Sequence, residues 1–148
     1  MDGHQRWPSR GLPATLRPMA KPATTDEGFG AHIGLEITER SHQRSVGRVR
    51  IAPIHLNPHG TVHGGVLYTM ADQGMGAAVY SVLEPEESCA TIEVKMAFIA
   101  AAREGELTCE TRLISRGRRV AFLESDVTND GRLVAKATGS FAIFPMRA

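Results

Sequence analysis

Residues 64–83 contain no proline and, apart from Asp72, no side chain charged at neutral pH. A helix over this run is apolar almost all the way round, so it cannot lie on a surface and has to be enclosed. No other stretch reads as a good helix, and the enclosure therefore falls to strands. Leu35, Ile37, Val46, Val49 and Ile51 form two short runs separated by the polar residues 39–45, the pattern of a hairpin within residues 34–54. Strand-like runs follow the helix at about 89–100, 106–115, 119–128 and 132–144, joined by turns at 103–105, 116–117 and 129–131 that are too short for parallel crossovers. Alternation places Ile92, Val94, Met96 and Phe98 on one face against Glu93 and Lys95, and Leu133, Ala135, Ala137, Phe141 and Ile143 against Lys136, Thr138 and Ser140. The expected class is α+β, one long central helix wrapped by an antiparallel sheet of about five to six strands. Gly74 and Gly76 each weaken the helix by ~1 kcal/mol relative to alanine, so the sheet is expected to approach closely there.

Composition sets the bounds of function. At 148 residues, 42% apolar and 22% charged, the chain suits one domain that can bury roughly two thirds of its unfolded surface. No bilayer span or signal peptide is visible, and a soluble, cytoplasmic protein is expected. A formal charge of +1 and only 5% aromatic residues leave nucleic acid a poor partner. Cys89 and Cys109 read as small buried thiols rather than a disulfide framework or metal ligands. Residues 1–27 carry Arg6, Arg10, Arg17 and Lys21 among Pro8, Pro13, Pro18 and Pro22, an irregular basic arm ahead of a domain over 28–148. The same prolines deny it the amphipathic helix of a transit peptide.

The chemistry concentrates on the helix. Carboxylates are rarely buried unpaired, and the neighbours of Asp72 one turn away do not make a polar stripe. The helix also begins at an unusual His63-Gly64-Gly65. Paired glycines at a helix start leave backbone N–H groups bare at the positive end of the dipole, the geometry of an oxyanion hole. Asp72 lies seven residues beyond Gly65, hence on nearly the same face but ~10 Å along the axis. One helix cannot bring both to a single carbonyl. Two helices set antiparallel about a two-fold axis can, so an obligate dimer with two composite sites is expected.

The stretch Asn57-Pro58-His59-Gly60-Thr61-Val62-His63-Gly64-Gly65 followed by Asp72 resembles the signature N-x-x-G-x-x-H-G-G-x6-D of hot-dog-fold acyl-CoA thioesterases of the phenylacetate-degradation type. The resemblance spans about residues 28–144 and implies an acyl-CoA substrate, no metal and no cofactor beyond the coenzyme A of the substrate, and a homodimer that pairs again into a homotetramer. It implies that Asp72, from the neighbouring subunit, positions or activates the attacking water or attacks the thioester itself. The Gly64 N–H is then the oxyanion donor, Asn57 and His63 place the thioester and the loop, and Thr91 assists the water or the aspartate. Thioester hydrolysis needs a polarised carbonyl and an oriented water, and the thiolate leaves readily.

The same residues admit other readings. His55, His59 and His63 are four apart, but Pro58 and Gly60 break the helix that would align them on a metal. Asn57-Pro58-His59 is also similar to part of the hot-dog enoyl-CoA hydratase motif, yet His55 stands where that motif has its aspartate. A non-catalytic acyl-CoA binder on the same scaffold is the rival from another class, against which the retained Asp72 and glycine pair argue. Arg116, Arg118 and Arg119 cluster at a hairpin tip, either as ordinary solvated charge or, with Gly65, as contacts to a coenzyme A substrate. Tyr68, Met70, Met75 and Phe98 are candidates to line an acyl pocket, and aromatic, medium-chain and short-chain acyl groups all stay open.

Overall fold

The computed structural model describes residues 28–146, so the basic arm lies outside the described residues. A short helix α1 (Phe29–His32) leads into the hairpin β1 (Glu36–Ser41) and β2 (Arg44–Arg50), then a 3-10 turn (Pro53–His55) and the long helix α2 (Gly64–Tyr80). Four strands complete the domain: β3 (Glu87–Phe98), β4 (Glu106–Arg116), β5 (Val120–Asn129) and β6 (Arg132–Pro145). All six strands form one antiparallel sheet in the order β1-β2-β4-β5-β6-β3. This is the expected α+β hot-dog arrangement. Among the described residues no helix is long and apolar enough to cross a membrane.

The sheet closes on α2 along its whole length. Val66, Leu67 and Met70 meet Leu107, Cys109, Val127, Val134 and Ala135, while Ala71, Met75, Ala78 and Val79 meet Ala121, Leu123, Ala137, Phe141 and Ile143. Met70 and Met75 are fully buried, and each contributes about 1.5–3 kcal/mol through apolar surface removed from water. Of the two mid-helix glycines, the sheet comes closest at Gly74, where an added Cβ would stand 2.7 Å from Thr111 Oγ1. Polar groups under the helix are paired at that point: Ser45 Oγ donates to the Gly74 carbonyl at 2.7 Å, and the Thr111 and Ser125 hydroxyls share a bond of 2.7 Å. A Cβ added at Gly76 would have Phe141 Cε1 as its nearest neighbour, at 3.9 Å. That is ordinary contact, so the expected close approach holds for Gly74 and not for Gly76.

Several local expectations are corrected by edges and bulges. The helix ends at Tyr80 rather than residue 83, because Ser81 turns its hydroxyl back onto the Ala78 carbonyl and caps it. Leu133 is exposed and Val134 buried in its place, since the β5–β6 register shifts between Val127 and Thr128. A second irregularity, between Thr91 and Glu93, leaves Ile92 out of the β3–β6 ladder and 56% exposed. Phe98 is exposed at the end of β3, an edge strand, and Ser140 is buried because β6 lies inside the sheet. The β5–β6 turn matches expectation, with Asp130 at φ 47 and Gly131 at φ 86, the left-handed pair that a two-residue hairpin connection requires.

The two helix glycines give opposed predictions. Gly74→Ala forces Thr111 aside and should lower stability by about 1–3 kcal/mol, whereas Gly76→Ala should leave it unchanged or raise it by up to ~1 kcal/mol. Urea melts of both variants check this, and equal midpoints would remove the close-approach explanation.

Candidate active site

The loop before α2 is built around Asn57. Its Oδ1 accepts the His59 N–H at 2.9 Å and the Thr61 N–H at 3.3 Å, and its Nδ2 donates to Thr61 Oγ1 at 2.9 Å. The Asn57 N–H donates to the Thr61 carbonyl and its own carbonyl accepts the Gly60 N–H. Asn57 is thus the organiser of the turn that delivers the chain to the helix. His55, weighed from sequence as a metal ligand and as the residue at the hydratase motif's aspartate position, is buried; its Nδ1 accepts the Ala52 N–H at 3.0 Å and its carbonyl accepts the His63 N–H at 2.8 Å. The three histidines do not converge: among the described residues no group of three potential ligands is placed to hold a metal ion.

His63 caps α2, and the way it does so decides what the helix start can bind. Its Nδ1 accepts the Gly65 N–H at 2.9 Å, and its carbonyl accepts the Val66 N–H at 2.9 Å. Two of the orphan donors of the first turn are therefore satisfied internally. The Gly64 N–H makes no hydrogen bond to a described residue. It is left at the positive end of the dipole with no side chain of its own in the way. Gly65 is accordingly a partner of His63 rather than a second open donor.

Gly64 opens on a cleft of about 430 Å³, walled by Val62 and Leu67 on one side and by Phe98, Ile99 and residues 100–102 on the other. The Phe98 ring rests on Gly64: a Cβ there would lie 3.1 Å from Cε1 and Cζ of the ring. Of the anticipated pocket residues, Met70 and Met75 belong to the core instead, while Tyr68 is exposed with its hydroxyl donating to the Val94 carbonyl at 3.1 Å. The wall at residues 99–102 was missed from sequence. Its signal was the run of three alanines where β3 exits, small residues beside a helix start.

Asp72 is half-buried and does not line that cleft. Its Oδ1 accepts a hydrogen bond from Thr91 Oγ1 at 2.8 Å, across from α2 to the edge strand β3. The irregularity between Thr91 and Glu93 adjoins this contact, a common place for a ladder to re-aim a side chain. Arg116, Arg118 and Arg119 sit at the β4–β5 tip, at the end of the sheet beside the C-terminal half of α2. Arg116 is held in an ion pair by Glu87; Arg118 and Arg119 are exposed.

Neither cysteine is placed as a nucleophile. Burial pushes the Cys109 thiol up to about 11, and burial together with the nearby Asp72 charge pushes Cys89 up to about 11. At pH 8.5 an unperturbed thiol is about half thiolate, so alkylation of the native protein should run roughly a hundredfold slower than in urea. Mass-spectrometric labelling rates check this, and comparable rates in both states would contradict it.

Comparison with known proteins bears on this geometry. Residues 59–136 match the family model of the thioesterase superfamily. A Pseudomonas aeruginosa protein with a provisional esterase name is 39% identical over 94 residues, which is 63% of this chain and 70% of that one. Among solved structures, a phenylacetic acid degradation-related protein of Ralstonia eutropha JMP134, provisionally a thioesterase, is 30% identical with a TM-score of 0.71 over 76% of this chain and 87% of its own. A hypothetical thioesterase of Streptococcus pneumoniae, solved with coenzyme A, is 28% identical with a TM-score of 0.70 over 77% and 88%. With its six-stranded sheet wrapped on one helix and its open Gly64 donor, this chain belongs to the thioesterase superfamily, as a thioester hydrolase of the hot-dog fold.

Proposed function

We propose that the protein hydrolyses acyl-CoA thioesters at composite sites, each formed by Gly64 of one protomer and Asp72 of a second. The observation that carries this reading is the separation of the two groups. The open donor faces one cleft, and the carboxylate lies ~10 Å along the same helix outside it.

The sheet edges favour the pairing that such sites need. Of its two edge strands, β1 has six residues and carries Glu36, Glu39 and Arg40, charges that discourage a second chain. By contrast β3 has twelve residues, over which its charges Glu87, Glu93 and Lys95 are spread more thinly, and it is flanked by the exposed Tyr68, Ile92 and Phe98. Pairing β3 with its copy would continue the sheet, set the two α2 helices antiparallel and bring each Asp72 toward the other Gly64. The same operation carries Arg118 and Arg119 of one chain toward the cleft end of the other, as candidate contacts to coenzyme A phosphates. Arg116, already engaged by Glu87, is the weaker candidate. Assembly of two dimers into a tetramer is the further expectation.

In this scheme the thioester oxygen accepts the Gly64 N–H, and the helix dipole stabilises the charge that develops there. Thr91 holds one oxygen of Asp72, leaving Oδ2 to take a proton from water as it attacks the carbonyl carbon. The tetrahedral intermediate then expels the coenzyme A thiolate, which takes up the proton; the products are the free acid and coenzyme A. No metal or redox cofactor enters the scheme.

Asp72→Asn should lower kcat by about 10²–10⁴-fold while preserving the fold, read as free-thiol release from an acyl-CoA panel. Full activity would refute the assignment. Subunit mixing tests the shared site. When inactive Asp72→Asn and Gly64→Val proteins are dissociated and reassociated together, half the dimers are hybrid, each with one intact site, and about a quarter of wild-type activity should return. A mixture as inactive as its components would place both groups in one chain.

A further inference from the structure

Resting on the reading of Asp72 as the group that directs the water, we infer that Tyr68 is a positioning residue for that carboxylate, acting through the irregularity in β3. Tyr68 and Asp72 are four residues apart on α2, so they share one face of the helix. Both reach the same strand. The Tyr68 hydroxyl donates to the Val94 carbonyl at 3.1 Å, and Asp72 Oδ1 accepts the Thr91 hydroxyl at 2.8 Å. Between these two ties lies the register shift of the β3–β6 ladder: Thr91 pairs with Phe141 and Glu93 with Ser140, while Ile92 stays unpaired. The helix therefore grips the strand on either side of its extra residue.

That grip matters because, within its own chain, β3 is an edge strand held by β6 alone. An edge strand carrying one surplus residue can move it by slipping, and a slip of one position turns the side chains of the slipped length to the other face of the sheet. At residue 91 such a slip takes the threonine hydroxyl off Asp72 and releases the carboxylate to rotate. Strand β6 leaves room for the irregularity at Gly139, the residue paired with Val94: a Cβ there would stand 3.1 Å from the Glu93 carbonyl. Room alone does not choose the register. The Tyr68 hydroxyl does, because it fastens Val94, just beyond the shift, to a helix that cannot slide. It thereby sets the direction of the Thr91 hydroxyl and, through it, the orientation of Asp72.

Tyr68→Phe keeps the ring and removes only the tie. In acyl-CoA hydrolysis by the full-length protein its kcat should fall about 5- to 30-fold, with KM and the sedimentation behaviour of the assembly unchanged. Thr91→Val should cost at least as much, and Thr91→Ser, which keeps the hydroxyl, should restore most of the rate. In the Thr91→Val background, adding Tyr68→Phe should cost less than about 2-fold, since the two residues act through one contact. Tyr80→Phe is the control: the Tyr80 and Ser88 hydroxyls share a bond of 3.2 Å that also joins α2 to β3, but away from the irregularity, and kcat should stay at the wild-type value. A full-sized loss from Tyr68→Phe on top of Thr91→Val would overturn the inference, because the hydroxyl would then act independently of Thr91. A wild-type kcat in Tyr68→Phe, or an equal loss in Tyr80→Phe, would overturn it too. In each of these cases the loss of turnover in Asp72→Asn leaves the reading of Asp72 standing; if Asp72→Asn is fully active, both fall together.

Discussion

A helix without a polar face survives in water only inside a wrapping of other elements, and here the wrapping closes because residue 74 lacks a side chain. At Gly74 the helix backbone comes within reach of hydroxyls from two strands, Ser45 on β2 and Thr111 on β4. A larger residue would hold the sheet off along the middle of α2, opening gaps in an interior where Met70, Met75, Leu107 and Leu123 are fully buried. The rest of the site follows from that closure. With α2 fixed against the sheet, its N-terminus is presented at one end of the domain, and Asp72 is held against Thr91 on the edge strand that the sheet reaches last.

In the proposed scheme, helix stability and substrate binding compete for the same donors at that N-terminus. A helix start needs its first N–H groups satisfied, while an oxyanion site needs one of them open. His63 resolves the competition by taking the Gly65 N–H on its ring and the Val66 N–H on its carbonyl, leaving only Gly64. The residue itself is placed by the His55 carbonyl, which holds the His63 N–H, and the intervening turn is tied by Asn57. The motif is therefore mostly scaffolding. One of its groups is available to a substrate, and the others determine where that group points.

Much of this was legible in the sequence because it follows from periodicity and from residue types with narrow uses. The one helix, the antiparallel strands and the β5–β6 turn could be placed from the absence of polar residues in 64–83, the alternation in 89–144 and the Asp130-Gly131 pair. Asp72 stood out as the one charge in an apolar run, and its hydroxyl partner Thr91 was found through family resemblance. What the sequence concealed were departures from period. The irregularities at Thr91/Glu93 and Val127/Thr128 moved Ile92 and Leu133 outward, because one extra residue reverses the facing of its neighbours. Met70 and Met75 were misplaced for a different reason: helical spacing names a face, but only the wrapped sheet decides which faces are sealed. The cleft wall at 99–102 left only the run of Ala100, Ala101 and Ala102 as a signal, and its place depends on where β3 leaves the sheet relative to the helix start.

Separation of charge gives the proposed shared site a physical rationale beyond the reach of one helix. Hydrolysis develops negative charge on the thioester oxygen, and a carboxylate close to that oxygen would oppose it in a poorly screened cleft. The same carboxylate has to reach the water on the other side of the carbonyl carbon. On a single helix the two demands conflict, because a residue near enough to direct the water would sit beside the oxyanion donor and weaken the dipole's effect. In the proposed dimer an antiparallel partner helix would satisfy both: its Asp72 would approach from the opposite side, with the oxyanion toward Gly64 and the water toward the carboxylate. Thr91 then constrains the carboxylate's orientation from β3, the strand proposed to join the chains, so the element that assembles the dimer would also aim the group that makes assembly necessary.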